Sequence, residues 1–254
     1  MSHLPGKFVW FEHFSADPAK ARAFYEPLFG WHIESMPMGE QRYDMIHNGA
    51  DGIGGLRTAE PGVPSHWVSY LSVADVDASF AAATAAGAKA LLAPTDFGPV
   101  GRGAAIADPT GAAVSLWKGA EGDRPDPDLP VGGDWCWNEL WTPDAKKALA
   151  FYEKVFGYTH DVMDMGPQGS YYMLKGPDGK MRGGLMQSPD AKTPPQWCPY
   201  VLVADCDASA AKAQQLGAQA LCVPPTDIPN IGRFAVLLDP LGATFAVFKA
   251  APSQ

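Results

Sequence analysis

The chain lacks the long apolar runs, basic clusters and cysteine pairs that mark several classes of protein. None of its apolar stretches reaches the ~18 residues that a membrane-spanning helix needs. Asp and Glu (28) outnumber Lys and Arg (19), and the net charge of −9 disfavours nucleic acids and membrane surfaces as partners. The first six residues contain no basic region followed by an apolar core, so we predict a cytoplasmic protein.

Other familiar catalytic signatures are also missing. There is no GxSxG nucleophile elbow and no P-loop, and the glycines at 52–55 are not followed by a helical pattern, so neither a serine hydrolase nor a dinucleotide site is predicted. The cysteines contain no CxxC pair, and we expect them to be free thiols that pack as small apolar residues. They are Cys136, Cys198, Cys206 and Cys222.

The two halves of the chain repeat each other. Residues 10–17 (WFEHFSAD) resemble residues 137–144 (WNELWTPD), and the matches continue at nearly constant spacing. The further pairs are Phe24-Tyr25 with Phe151-Tyr152, Trp67 with Trp197, Tyr70 with Tyr200, Gly101-Arg102 with Gly232-Arg233, and Asp108-Pro109 with Asp239-Pro240. Residues 119–133 are rich in Gly, Pro and charge. We therefore predict homologous domains at 7–118 and 134–250, joined by a linker at 119–133.

Each domain shows a βαβββ pattern twice. In domain one a strand at 8–14 precedes a helix that opens at Asp17-Pro18 and stops at Gly30. A second strand at 67–73 precedes a helix that opens at Asp75 and stops at Gly87. Shorter strands are predicted at 43–47, 53–57, 89–92, 102–107 and 112–117. This order predicts an α+β fold whose sheets carry helices on one face.

These motifs, in this order in four successive units, resemble the vicinal oxygen chelate superfamily, which includes glyoxalase I, bleomycin-resistance proteins, fosfomycin-resistance enzymes and extradiol dioxygenases. A closer resemblance is to tandem-domain actinobacterial antigens of about this chain's length, which share the segments at 137–140, 151–152 and 232–236. The resemblance covers nearly the whole chain. It implies two tandem domains, each of paired βαβββ units that form a U-shaped mixed sheet around a cleft for a small molecule.

The resemblance also implies a divalent metal in that cleft, held by His, Glu or Gln side chains. Counting along the motifs places the family's ligand positions at Trp10, Val68 and Ser115 in domain one and at Trp137, Cys198 and Ala246 in domain two. Only Cys198 has any ligand chemistry, so we predict no metal and no cofactor. An atypical site made by Glu12 with His13 or His66 stays open.

Strand alternation predicts a carboxylate on the cleft face of each domain. The face carries Trp10, Glu12 and Phe14 in domain one, and Trp137, Glu139 and Trp141 in domain two. Among aromatic rings, a glutamate pKa rises unless a cation pairs with the carboxylate, and Arg102 and Arg233 are the candidate partners. Three roles remain open for Glu12 and Glu139: a structural contact, a ligand contact, or proton transfer.

We predict a glyoxalase-like or bleomycin-resistance-like protein that lacks the usual metal ligands and binds or sequesters a partly aromatic small molecule. The candidate ligand-binding residues are Trp10, Glu12, Trp67, Tyr70, Arg102, Trp117, Trp137, Glu139, Trp197, Tyr200, Asp227 and Arg233. Aromatic residues on strands are more often core than binding surface, so a purely structural role for them stays open.

The alternative is a glyoxalase-like lyase or isomerase that uses Glu12 or Glu139 as its general base, with or without an atypical metal. A third interpretation makes one domain degenerate, so that it serves as an interaction scaffold. In each case we expect a monomer whose two domains pair within the chain.

Overall fold

The computed structural model describes residues 2–38, 41–127, 131–188 and 190–252. The helices are α1 (Pro18–Phe29), α2 (Val76–Ala85), α3 (Ala145–Phe156) and α4 (Cys206–Gln215). The strands of the first repeat are β1 (Phe8–Ser15), β2 (His32–Met38), β3 (Gln41–Asn48), β4 (Asp51–Thr58), β5 (His66–Ser72), β6 (Lys89–Asp96), β7 (Gly101–Ala107) and β8 (Ala113–Gly119). Those of the second are β9 (Trp135–Thr142), β10 (Thr159–Asp164), β11 (Ser170–Lys175), β12 (Met181–Gln187), β13 (Gln196–Leu202), β14 (Ala220–Ile228), β15 (Gly232–Leu238) and β16 (Thr244–Ala250).

The strands form mixed sheets with the same order in both repeats. The orders are β2-β3-β4-β1-β5-β8-β7-β6 and β10-β11-β12-β9-β13-β16-β15-β14. Within each βαβββ unit the first strand pairs in parallel with the last, as β1 does with β4 and β9 with β12. The remaining pairs, such as β2 with β3, are antiparallel. The predicted α+β fold of paired βαβββ units is confirmed.

Local sequence sets the ends of the helices. The Asp17 carboxylate accepts a hydrogen bond from the Lys20 amide and so caps the first turn of α1. Gly30 ends α1 with φ 73°, a left-handed conformation that glycine adopts at little cost. The caps of α3 are the same: Asp144 begins it, and Gly157 ends it at φ 69°. The predicted start and stop of α1 are confirmed.

Strand β2 is the one element of the first βαβββ unit that our predicted ranges do not include. It lies at the edge of its sheet, where only one face meets the core. Ile33 is fully buried, whereas His32 and Glu34 on either side are exposed. A single buried residue produces too short an alternation to be recognised as a strand.

The compact units of the chain do not coincide with its repeats. Unit 1 comprises Met1–Trp10, Val68–Asp126 and Trp137–Trp197. Unit 2 comprises Phe11–Trp67, Pro127–Cys136 and Cys198–Gln254. Each unit therefore contains one βαβββ half of each repeat. The domain limits at 7–118 and 134–250 stay predictions from the sequence.

Each unit has its own aromatic core beneath a helix. In unit 2, Phe24 and Tyr25 of α1 pack against Phe245, with ring centroids 5.8 and 5.6 Å apart. In unit 1, Tyr152 of α3 packs edge-on against Trp197 at 5.3 Å. These residues are the Phe-Tyr pairs of the repeat and their partners. The repeated Phe-Tyr motif therefore marks residues that pack in the core of each unit.

The cysteines are all free. Burial raises the pKa of Cys136 to about 12 and that of Cys206 to about 11, so both remain protonated and inert at neutral pH. Among the helices in the described ranges, none combines the length and apolar composition needed to cross a bilayer.

Candidate functional site

A glutamate held by aromatic side chains lies on one face of unit 1. Glu139, in β9, is only 7% exposed. The Trp141 indole Nε1–H donates to its Oε1 at 2.6 Å, and the Tyr171 hydroxyl donates to its Oε2 at 2.7 Å. The Trp137 indole in turn donates to the Tyr171 oxygen at 2.8 Å. We call Trp137, Glu139, Trp141 and Tyr171 the Glu139 cluster.

A glycine in the neighbouring strand makes room for this arrangement. Gly184 of β12 lies opposite Glu139 in the parallel register. A Cβ at Gly184 would overlap the Tyr171 hydroxyl, so any larger residue would displace the tyrosine. The hydrogen bond between Tyr171 and Glu139 therefore depends on this glycine.

The equivalent glutamate in unit 2 lies beside a cation. Glu12 of β1 is 2% exposed, and its Oε2 lies 3.8 Å from Arg57 Nη1. The Arg57 guanidinium carbon is 5.8 Å from the centre of the Phe14 ring. Phe14 in turn stacks on His66, with centroids 5.4 Å apart and planes 13° from parallel. We call Glu12, Phe14, Arg57 and His66 the Glu12 cluster.

The two clusters share a scaffold and differ in charge. As in the second repeat, the glutamate lies opposite a glycine, Gly55, at which a Cβ would overlap a tyrosine hydroxyl, that of Tyr43. Arg57 pairs with Phe14 in the parallel register, and the matching pair in the second repeat is Met186 with Trp141. The Glu12 cluster therefore has a cation where the second repeat has a thioether.

The opposite face of β1 carries a buried polar network in unit 2. His13 Nε2 and the Tyr25 hydroxyl lie 2.8 and 2.9 Å from Asp239 Oδ2, and the Trp67 indole donates to the Tyr25 oxygen at 3.0 Å. Burial, followed by the Asp239 charge, raises the pKa of Tyr25 well above its usual value. Burial alone would raise the pKa of Asp239. The His13 hydrogen bond and the backbone amides outweigh burial and hold that pKa below its ordinary range.

Unit 1 contains the same network without a histidine. The Tyr152 hydroxyl donates to Asp108 Oδ2 at 3.1 Å, and the Trp197 indole donates to the Tyr152 oxygen at 2.9 Å. Leu140 occupies the place of His13 in the repeat. The structure thus places Trp67 and Trp197, two of our candidate ligand residues, in the helix-side core, where they are 5% and 2% exposed.

The predicted arginine partners of the glutamates bind elsewhere. Arg102 donates to both Asp77 carboxylate oxygens at 2.7 and 2.8 Å. Arg233 makes the same pair with Asp207 and a further bond to Asp227 at 2.9 Å. The expectation that they pair with Glu12 and Glu139 is therefore wrong. The first-turn aspartates of α2 and α4 bind them instead.

The remaining candidates divide between the units. In unit 1, Tyr70 and Phe97 flank Trp117, with centroids 5.9 and 5.8 Å from its ring. In unit 2, Tyr200 stacks on Phe234 at 6.2 Å and is 4% exposed. Trp10 of β1 is half-buried. Ligand contact by these residues stays a prediction.

The absence of a hard divalent ion at the positions that we counted for the family's metal ligands stays a prediction. In the structure they hold Trp10, Val68, Ser115, Trp137, Cys198 and Ala246, as counted from the sequence. Across 2–38, 41–127, 131–188 and 190–252, no three His, Cys, Asp or Glu side chains come together as a metal site requires.

Sequence reasoning missed Tyr171, its counterpart Tyr43, and Arg57. A signal for the tyrosines was present, because each lies 11 or 12 residues before a Gly-Gly pair in its repeat. Arg57 could have been found only by comparing the repeats position by position and asking where they differ in charge. Without the parallel register, nothing connected it to Glu12.

Comparison with known proteins identifies both repeats. Residues 7–116 match the model of the Glyoxalase/Bleomycin resistance protein/Dioxygenase superfamily, and residues 136–248 match a glyoxalase-like domain. The chain is 39% identical over 251 residues to the protein named "Putative glyoxylase CFP32" in Mycobacterium tuberculosis, covering 96% of this chain and 95% of that protein.

Two further relatives extend the comparison. The chain is 31% identical over 270 residues to the anthracycline biosynthesis protein DauV of a Streptomyces species, covering 96% of this chain and 94% of that protein. Among solved structures, the Mn(II)-bound glyoxalase from Novosphingobium aromaticivorans superposes with a TM-score of 0.68 at 19% identity, covering 98% of this chain and 83% of that one. At that identity the similarity concerns the fold alone.

Proposed function

The chain belongs to the glyoxalase/bleomycin resistance protein/dioxygenase superfamily, and from this premise we propose that it binds a small, partly aromatic molecule without the superfamily's usual metal. The observation that carries the proposal is the Glu139 cluster. There an acceptor group is fixed by two donors on a face where the family places its metal ligands. A few fixed polar atoms among aromatic rings are typical of small-molecule sites.

The chemistry of the cluster favours an aromatic ligand. Trp137 is half-buried and Trp141 is 6% exposed. Indole rings offer large flat surfaces against which another ring gains ~0.5–1.5 kcal/mol beyond simple burial. Because Glu139 is already oriented by Trp141 and Tyr171, a ligand donor would not have to order the carboxylate on binding. The name of the relative DauV also supports this class, since anthracyclines are polycyclic aromatic compounds.

The test is a calorimetric titration with 2-naphthol, a neutral aromatic hydroxyl compound. We expect Glu139→Gln to weaken binding by about tenfold or more, because a hydrogen bond to a charged group contributes ~1.5–3 kcal/mol. The matched control is Glu153→Gln in α3, which removes a carboxylate paired with His160 on the protein surface and should leave the affinity unchanged. Equal binding by both variants would contradict the proposal.

A second candidate function is favoured by the name of the mycobacterial relative. It is a glyoxalase-like lyase or isomerase acting on an α-keto aldehyde or its thiol adduct, with Glu12 or Glu139 as general base. Turnover of such a substrate should then fall steeply in Glu12→Gln or Glu139→Gln, and full activity in both variants would exclude these residues as bases. The cytoplasmic location and the monomeric state stay predictions.

A further inference from the structure

We infer that the Glu12 cluster is a distinct subsite that selects an acidic aromatic ligand, a planar ring bearing a carboxylate, through Arg57. The inference rests on the proposed function, because it assumes that the family's ligand face binds an aromatic molecule at all. It goes further in assigning unlike ligand preferences to the two repeats.

The contacts of Arg57 leave its hydrogen-bond donors available to a ligand. Its side chain is 35% exposed, and its nearest carboxylate oxygen, on Glu12, lies at 3.8 Å, beyond hydrogen-bond distance. Within the part of the chain that the structure describes, its contacts are this ion pair and the Phe14 ring. Its five N–H donors therefore remain available to a ligand, and their planar fork matches the two oxygens of a carboxylate.

Aromatic side chains hold the Arg57 guanidinium in place. The Arg57 guanidinium carbon lies 5.8 Å from the centre of the Phe14 ring, and the Phe14 ring stacks on the His66 ring. His66 is itself fixed, because its Nδ1 lies 2.8 Å from the Pro64 carbonyl oxygen. A cation held against an aromatic face loses less side-chain entropy when it binds an anion. The stack also provides aromatic surface beside the charge, as an aromatic acid requires.

The second repeat has a methionine at the position that matches Arg57. Met186 occupies the place of Arg57 beside Trp141 and carries no charge. The Glu139 cluster, as defined by its four residues, therefore has acceptor and aromatic groups, and an anionic ligand there would lack a counterpart of Arg57. Because Arg57 lies 3.8 Å from the Glu12 carboxylate, a monoanion meets less repulsion in this cluster than a phosphate dianion would, so we assign the ligand of the Glu12 cluster as a carboxylate.

The experiment compares 2-naphthoate with neutral 2-naphthol by calorimetry at low salt. We expect Arg57→Met, which copies the second repeat, to weaken naphthoate binding at least tenfold while changing naphthol binding less than twofold. The reciprocal Met186→Arg should add a second naphthoate site. The matched control Arg42→Met removes an exposed arginine that bonds the Ser35 carbonyl, and it should change neither affinity.

Each outcome is decisive. If Arg57→Met binds naphthoate as the unmodified protein does, the inference is overturned, whereas continued naphthol binding leaves the proposed function standing. If neither probe binds the unmodified protein, both fail. Should Arg57→Met not fold, Arg57→Lys keeps the charge without the fork. We expect it to bind naphthoate several-fold more weakly than arginine does, and unchanged affinity would contradict the role of the fork.

Discussion

We expect a buried carboxylate to make the stability of unit 2 depend on pH. Asp239 is fully buried, and its carboxylate accepts hydrogen bonds from the Tyr25 hydroxyl and the Ala243 amide, with His13 Nε2 at 2.8 Å. Its pKa lies below the ordinary value in the folded chain. Asp239 therefore contributes stability that is fully present above the unfolded pKa of about 3.9 and is lost as the pH falls through the folded value.

We predict that Asp239→Asn lowers the free energy of unfolding by ~1–3 kcal/mol at pH 7, because an amide cannot accept all these bonds. The difference from the unmodified protein should shrink as the pH falls below the unfolded pKa of about 3.9 and through the lower folded pKa. Urea unfolding at several pH values measures it. Asp161→Asn, which breaks an exposed pair with Lys175, serves as the control and should cost under ~1 kcal/mol. A difference for Asp239→Asn that is constant with pH would contradict the role of its ionised form.

Sequence reasoning predicted residue pairs well where one element contains both partners and poorly where partners come from distant segments. Asp17 and Lys20 lie within one helical turn, so the N-cap of α1 could be predicted from the sequence. The partner of Arg102 is Asp77, 25 residues earlier, which the sequence indicated only as a favourable charge for the helix dipole. Alternation placed Glu139 between aromatic residues, but it could not show that Tyr171 from another strand reaches the carboxylate.

At the scale of elements, the parallel pairing of the first and last strands of a βαβββ unit builds each cluster. The pairing of β9 with β12 places Gly184 opposite Glu139, and antiparallel β11 supplies the tyrosine. The same arrangement of β1, β3 and β4 recurs around Glu12. A site built on strands is held more rigidly than one on loops, which suits recognition of a planar ligand.

Gly184→Ala should expel the Tyr171 hydroxyl from its place beside Glu139. We expect a loss of ~1–3 kcal/mol in unfolding free energy, as overpacking usually costs, together with weaker naphthol binding. Gly132→Ala is the matched control, because a Cβ there meets nothing within 4 Å. Its stability should change by under ~1 kcal/mol. Equal unfolding midpoints for the two variants would show that the tyrosine is not held by the glycine.

At the scale of the whole molecule, the sequence repeats and the compact units divide the chain at different places. The repeat could be predicted from the sequence, because aromatic and Gly-Arg motifs recur at nearly constant spacing. The compact units could not be predicted in this way, because each combines half of one repeat with half of the other. In unit 2 the Tyr25 of the first repeat binds Asp239 of the second, and in unit 1 Tyr152 binds Asp108. Such exchanges leave no local signal in the sequence.

Duplication also allowed the two clusters to diverge. Both retain a buried glutamate and a tyrosine over a glycine, while Arg57 and Met186 distinguish them. The charge of −9 on the whole chain opposes anionic partners in general. A carboxylate ligand would therefore depend on a local cation, and Arg57 is the cation of the Glu12 cluster.

The most direct test of aromatic binding at the Glu139 cluster is an NMR titration of protein labelled with ¹⁵N at tryptophan. The Trp137 and Trp141 indole N–H groups donate within the cluster, whereas the Trp197 indole donates to Tyr152 in the core of the same unit. We predict that 2-naphthol shifts the Trp137 and Trp141 resonances saturably and leaves that of Trp197 in place. Saturable binding by calorimetry without movement of the Trp137 and Trp141 signals would contradict the account.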